Sequence, residues 1–285
     1  MIAIIANPNA LRFDSEKLKQ VKLILESHGY NVDVYFTQRA GDGTLIADRI
    51  SKNYRVIAAY GGDGIVNEIV NAPLRLSALA ILPAGTTNVM ALNLGIPRDP
   101  CKAARVIIDG HIRRAFTGRI NGRRFLLMAG VGFDGTSVFM VNQRLKKKCG
   151  KLAYVAAGIN AYFRAKHDTL DIEIGSERFR ARWVIVSKIR KYAGNFTLST
   201  SVDFDKPLFD VLMFSSFANA TVELPVHNAL LFGGLHRYKF VPAKHVITDK
   251  TIRISAAHVQ IDGDYFGYTK STIELDSKPI NLIAP

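Results

Sequence analysis

Two glycine-bearing bends carry the residues of this 285-residue chain best suited to chemistry. In the first, the apolar run Tyr54 to Tyr60 leads into Gly61-Gly62-Asp63-Gly64, and a helical pattern continues through Asn67 and Glu68 to Val70. Glycines let a backbone turn sharply and approach a ligand closely. Exposed N–H groups and the positive end of a following helix favour phosphate. Asp63 would repel such a ligand, so it must serve otherwise, by holding a sugar hydroxyl, orienting Mg2+ or positioning the loop. The plain alternative is a tight turn closed by an Asx hydrogen bond. The second bend, Pro83-Ala84-Gly85-Thr86-Thr87-Asn88, also lies between an apolar run and a helical pattern. Thr86, Thr87 and Asn88 could cap that helix, or grip the same phosphates as the first bend.

The elements that must position these bends follow from periodicity. Ile2 to Pro8, Asn31 to Thr37, Tyr54 to Tyr60 and Ala78 to Leu82 read as strands. Ser15 to His28 and Asn88 to Leu94 read as helices, the first with apolar residues at Leu18, Val21 and Leu25. Such alternation implies βαβ units and a parallel sheet. The rhythm changes near Ala115. Asn121-Gly122 is a strong hairpin signal, and segments such as LDIEIG and RFRARWVIV alternate with period two. A helical stretch is expected from about Ser137 to Ala165 and a short one near Val226 to Phe232. The expected organisation is an α/β domain over 1–118 and a β-rich antiparallel, sandwich-like domain over 119–285. The last strand, INLIA, could return to the first domain.

Composition bounds the possibilities. The hydrophobic fraction is 48% and the charged fraction 22%, ordinary for a globular chain. Lys and Arg number 38 against 24 Asp and Glu, a net +14 that favours anionic partners: nucleotide phosphates, nucleic acid or an acidic membrane. The chain carries no RNP, KH or helix-turn-helix signature, so no nucleic-acid partner is expected. Cys101 and Cys149 have no pairing or metal spacing, which points to reduced thiols and a cytoplasmic protein. The sequons at Asn195 and Asn219 then read as chance. The first residues lack the basic and apolar pattern of a signal peptide. Arg178, Arg180 and Arg182 alternate along one segment, and Arg144, Lys146, Lys147, Lys148 and Lys151 cluster in another. Both suggest peripheral docking on an anionic surface, or simply a solvated face.

Taken together, Gly61-Gly62-Asp63-Gly64-Ile65-Val66-Asn67-Glu68 and Pro83-Ala84-Gly85-Thr86-Thr87-Asn88 resemble the GGDGTvNE and PxGTxN pattern of the diacylglycerol kinase catalytic-domain family. That family takes in bacterial lipid kinases and sphingosine kinases. Asn7-Pro8, Thr37, GVGFDG at 130–135, GKLAY at 150–154 and IDGD at 261–264 extend the resemblance along the chain. It implies an N-terminal domain like that of NAD kinase and phosphofructokinase, and a β-rich domain across a cleft. It implies ATP and Mg2+ as cofactors, with transfer of the γ-phosphate to a lipid hydroxyl. By position, Asn7, Thr37, Gly61, Gly62, Asp63, Gly64, Asn67, Gly85 and Thr86 would surround ATP, with Glu68 beside them. Asp63 would serve catalysis, and Asp264 would be the general base. The alternatives are a small-molecule kinase resembling NAD kinase, which shares GGDG, and a degenerate nucleotide-binding regulator. Oligomeric state is not legible.

Departures from the pattern sharpen the expectations. Asp264 stands where the family has Glu, a side chain shorter by one methylene. Ile65 stands for Thr, which removes a hydroxyl expected near the phosphates. Ala10 and Leu11 replace the small hydroxyl and glycine of the first loop. Some bacterial members hold a structural Mg2+ around a DDG segment, whose counterpart here is Asp205-Lys206-Pro207. That makes Asp205 the candidate metal ligand, although Lys206 and Pro207 displace the second Asp and the Gly. Read without the resemblance, Asp205 and Asp210 are solvated loop and strand-end carboxylates. GVGFDG formally fits a dinucleotide fingerprint but lacks the following strand and acid; the resemblance makes it a tight turn on the lipid side.

Overall fold

The computed structural model describes residues 1–140, 169–192, 196–197, 199, 201–214 and 243–285. The helical expectation near Val226, most of that beginning at Ser137, the GKLAY segment, Cys149, the asparagines of both sequons and the 144–151 basic cluster lie outside them.

The chain divides into two compact units, Met1–Phe116 with Ser277–Pro285, and Thr117–Asp276. The first opens with β1 (Ile2–Ala6), α1 (Ser15–Ser27), β2 (Val32–Phe36), α2 (Asp42–Ile50), β3 (Val56–Gly61), α3 (Asp63–Val70) and β4 (Ala78–Pro83). It continues through α4 (Val89–Leu94), α5 (Pro100–Asp109) and β5 (Ile112–Ala115). β1 and β4 are buried along their whole length, as strands covered on both faces must be. Asp14 caps α1 by accepting from the Glu16 and Lys17 N–H groups, and Leu18, Val21 and Leu25 turn its apolar stripe inward.

The second unit begins with the hairpin of β6 (Gly118–Ile120) and β7 (Arg123–Phe125). Asn121 and Gly122 at its tip have φ of 48° and 86°, the left-handed pair that a two-residue hairpin turn requires. β8 (Met128–Gly132), α6 (Phe133–Met140), β9 (Leu170–Ile174), β10 (Glu177–Ala181) and β11 (Trp183–Ser187) follow. β12 (Lys191–Tyr192) and β13 (Phe196–Thr197) form a separate ribbon. β14 (Phe209–Phe214), β15 (Ala243–Thr248), β16 (Ile252–Ile261) and β17 (Asp264–Leu275) complete a ten-stranded antiparallel sheet around a core of Phe125, Val131, Val186, Phe209 and Ile254, among others.

β18 (Ile280–Ile283) then lies in the first unit's sheet, whose order is β2-β1-β3-β4-β18-β5. It runs parallel to β4 and antiparallel to β5. The first unit is therefore a mixed sheet assembled from both ends of the chain.

GVGFDG is not a tight turn. β8 runs straight into α6, and the glycines serve packing. Gly132 has φ of 88°, and a Cβ there would sit 2.6 Å from the Arg182 carbonyl. A Cβ on Gly135 would meet the His258 carbonyl at 2.2 Å, so its absence lets α6 lie against β16.

Candidate active site

The carboxyl ends of β1, β3 and β4 lie side by side, because these strands are parallel neighbours. From β1 the chain crosses to β2 on one side, then returns to β3 on the other. Open α/β sheets bind ligands beyond the carboxyl ends of their strands at such a reversal. The loops there are tied to one another through backbone. Asn7 N–H donates to the Tyr60 carbonyl at 3.0 Å, Ala84 N–H to that of Gly61 at 2.7 Å, and Arg12 N–H to that of Ala84 at 3.1 Å. The Asn7 carboxamide oxygen accepts from Asn9 N–H at 2.9 Å, closing the turn after β1. Thr37 leaves β2 at the same edge, its N–H 2.9 Å from the Ala6 carbonyl.

The two glycine bends touch. A Cβ on Gly85 would fall 2.5 Å from Gly62 Cα and 2.7 Å from Asn88 Oδ1. No side chain can be accommodated there without parting the loops. Asn88 clasps Gly85 from the other side, accepting its N–H and donating to its carbonyl, both at 3.0 Å. Asn88 is itself at φ 48°, a conformation that asparagine tolerates better than most residues. The glycine at 64 differs: it is exposed, and a Cβ would meet nothing within 4 Å.

Asp63 positions the loop. One carboxylate oxygen accepts from Val89 N–H at 3.0 Å and the other from Met90 N–H at 3.0 Å, with the Thr87 hydroxyl at 3.4 Å. It thus caps α4 from the first position of α3. The expected cap from Thr86, Thr87 or Asn88 is not made: the residue before α4 is Asn88, whose side chain is engaged with Gly85. Gly62, before α3, has no side chain with which to cap it.

The other expected site residues divide. Gly61, Gly62, Asp63, Gly64, Gly85, Thr86 and Asn7 gather at one edge, with Thr37 on the next strand. Asn67 is buried, its main-chain carbonyl accepting from the Asn71 carboxamide at 2.9 Å. Glu68 accepts from Gly43 N–H at 2.9 Å, and its main-chain carbonyl accepts the Thr44 hydroxyl at 2.7 Å, so it ties α3 to the start of α2. Ile65 is buried against Gly61 and Gly43 beneath the bend. The clasp that Asn88 places on Gly85 and the Arg12 N–H bond to Ala84 were not anticipated. Their signal was faint: an asparagine ending a glycine-threonine run, and a backbone amide that no side-chain pattern reveals.

In the second unit the β16–β17 hairpin turns through Asp262 and Gly263, at φ of 51° and 91°. The Asp262 carboxylate accepts three backbone N–H groups, from Leu126 at 3.0 Å, Leu127 at 2.8 Å and Met128 at 3.0 Å. Asp264 follows as the exposed first residue of β17. Of the two acids in IDGD, one is therefore an anchor and the other faces outward. A second tie comes from α6. Buried Asp134 accepts from the Gln260 carboxamide at 2.7 Å, and the Gln260 oxygen accepts from Gly263 N–H at 2.7 Å. Burial pushes the Asp134 carboxyl up to about 6, with the Gln260 bond opposing it.

One expectation about the acids needs correction. Asp210 is buried in β14 and meets His245 diagonally on the neighbouring β15, both carboxylate oxygens 3.3 Å from Nδ1, so it is not a solvated strand end. That bond raises the His245 pKa above its ordinary value. Asp205 is exposed, and no group of three His, Cys, Asp or Glu residues that could hold a metal exists among the described residues. The donor set around it does not fit a divalent ion, because the ammonium of Lys188 donates to the Lys206 and Leu208 carbonyls of the same loop at 2.5 and 2.8 Å. The basic stripe is also less bare than expected. Arg178 and Arg180 lie opposite Glu173 and Asp171 on β9, and Arg180 pairs with Asp171 at 3.1 Å.

The family model for the diacylglycerol kinase catalytic domain matches residues 1–120, the stretch that carries both glycine bends. A diacylglycerol kinase of Bacillus subtilis is 31% identical, over 99% of this chain and 95% of the relative. The chain belongs to the diacylglycerol kinase family. That membership makes it an enzyme, an ATP-dependent lipid kinase. A diacylglycerol kinase of Staphylococcus aureus is 29% identical to this kinase, over 99% of this chain and 91% of its own. Two crystal structures from Bacillus anthracis share the fold. One has a TM-score of 0.83 at 24% identity, covering 100% of this chain and 95% of that one. The other, of a diacylglycerol kinase, has a TM-score of 0.74 at 22% identity, covering 100% and 96%. Among the kinase's described residues, no helix is long and apolar enough to cross a membrane.

Proposed function

We propose that this kinase moves the γ-phosphate of ATP onto the hydroxyl of a diacylglycerol-like lipid, with Asp264 as general base. The observation that carries this reading is the Asp63 brace, which locks two glycine bends together at the carboxyl ends of the parallel strands β1, β3 and β4. A rigid edge of backbone amides suits a triphosphate, because preorganised donors need no rearrangement as charge shifts in the transition state. ATP lies over Gly62, Gly64 and Gly85, with the hydroxyl of Thr86 and the side chains of Asn7 and Thr37 at its margins. Asp63, with both oxygens on amides of α4, positions this edge. Asn67 and Glu68 support it from below.

The lipid oxygen forms a bond to the γ-phosphorus as the bond from that phosphorus to the β–γ bridging oxygen breaks, and ADP departs. The lipid proton passes to the Asp264 carboxylate, held by a turn pinned through Asp262 and Gln260. Mg2+ supplies charge neutralisation when it arrives with the nucleotide. Such an ion is held largely by phosphate oxygens and water, which suits an edge whose acids, Asp63 and Glu68, are bonded to backbone amides. The enzyme works in the cytoplasm, peripherally on anionic membrane, drawn there by its net charge of +14.

The test supplies γ-labelled ATP with diacylglycerol in anionic vesicles, in neutral vesicles, and with NAD in place of lipid. Label is expected in the lipid product, faster on anionic vesicles at low salt. Asp264→Asn should lose about a hundredfold or more in turnover while melting as the parent does. Undiminished turnover in that variant removes Asp264 from the mechanism. Transfer to NAD instead of lipid would overturn the substrate class.

A further inference from the structure

The side chain of Lys188 is fully buried, although lysine is among the residues least often found so. It follows β11 directly. Its own N–H donates to the Leu127 carbonyl at 2.9 Å, and the neighbouring Ser187 hydroxyl brackets Ile189, donating to its carbonyl at 3.0 Å and accepting its N–H at 3.1 Å. The backbone that carries the side chain is therefore fixed. The ammonium reaches into the loop that precedes β14 and donates to the carbonyls of Lys206 and Leu208 at 2.5 and 2.8 Å. It stands 5.8 Å from the centroid of the Phe209 ring, within range for a cation–π contact. Asp203 and Asp205 of the same loop are the acids whose charge acts on it. The Asp203 carboxylate also accepts from Phe204 N–H at 2.8 Å and lies 3.4 Å from the Arg190 guanidinium.

Converging carbonyl oxygens with acids close by are the surroundings of a hard cation. Here the cation is covalently attached. We propose that Lys188 is the built-in cation of the 203–208 loop, taking the place of the structural Mg2+ that the resemblance implies around Asp205, so that the second unit folds without a metal. Two features make the replacement consistent. A buried ammonium is costly unless hydrogen-bonded and opposed by negative charge, and the loop provides both. A divalent ion sharing these carbonyls would lie within a few ångströms of a positive charge, with no third acid, His or Cys among the described residues to offset it. Lys206 and Pro207, the two departures in this stretch, are then changes that a loop with its own cation can tolerate. The Mg2+ that travels with ATP is untouched by this assignment.

The experiment uses the whole chain without nucleotide. Thermal unfolding is followed in excess EDTA and in millimolar MgCl2, and the purified protein is weighed by native mass spectrometry. The expected result is the same midpoint in both solutions and the mass of the bare polypeptide. A midpoint that falls in EDTA and recovers with Mg2+, or a retained divalent ion, overturns the proposal. Lys188→Met, which keeps length and loses charge, should melt about 5 °C or more below the parent, since the Lys206 and Leu208 carbonyls lose their charged donor. An unchanged midpoint in that variant also overturns it. If Lys188→Met does not fold, the chelation and mass measurements on the parent still decide the matter.

Discussion

Asp63 and Asp134 illustrate two uses of an acid that sequence patterns do not separate. Asp63 is bonded to two helix amides. Asp63→Ala should cost about 1 kcal/mol of stability, the usual worth of a cap, and raise the KM for ATP because α4 and its loop lose their brace. Urea unfolding and steady-state kinetics would check both, and an unaltered KM would show that the brace does not shape the nucleotide edge. Asp134 is buried beside a neutral amide, with its pKa pushed from 3.8 to about 6. The folded protein therefore holds this proton more tightly than the unfolded chain does. The residue's contribution to stability is present at low pH and is lost as pH rises through about 6. Asp134→Asn should be more stable than the parent at pH 7 and above, by on the order of 3 kcal/mol. That advantage should vanish towards pH 4. Unfolding curves of the two proteins across this range measure the difference directly; a constant offset would refute the assignment.

Among the elements, the two glycine bends separate steric need from ligand need. Gly85→Ala drives a methyl group into Gly62 Cα at 2.5 Å, so it should lower both the unfolding midpoint and activity. Gly64→Ala meets nothing within 4 Å, so stability should stay within about 1 kcal/mol, the ordinary cost of exchanging these two residues. If the backbone at Gly64 approaches phosphate, ATP affinity should still fall. Calorimetric titration with ATP, set beside a melting curve, distinguishes the two variants. Loss of affinity without loss of stability is the signature expected at 64, and equal losses at both positions would make the first bend purely structural.

For the molecule as a whole, β18 makes the first unit depend on the last residues of the chain. Ile280, Leu282 and Ile283 are buried between β4 and β5, and each contributes roughly 1.5–3 kcal/mol by burial. A chain ending at Asp276 should lose several kcal/mol and expose the edges of β4 and β5, so aggregation is expected. Adding the 277–285 peptide in trans should recover part of the soluble fraction. A truncated chain with parental solubility and midpoint would show that β18 is dispensable.

Local patterns along the chain set the alternation of strands and helices, the change to antiparallel pairing, and the two phosphate-suited bends. These features are encoded nearby, in periodicity, in Asn121-Gly122 at a hairpin tip and in glycines at strand ends. The family was legible too, because Gly61 to Glu68 and Pro83 to Asn88 stand in recognisable order. Which side chain serves which partner emerged only from the folded chain. Asp63 caps a helix that begins 26 residues away, Asp262 gathers amides more than 130 residues earlier, and Lys188 reaches the loop before β14. Glu68, adjacent to the bend, points into packing with α2, and Ile65 lies beneath it. Hydrogen bonds act over about 3 Å in space whatever their separation along the chain, so spacing alone could not assign them.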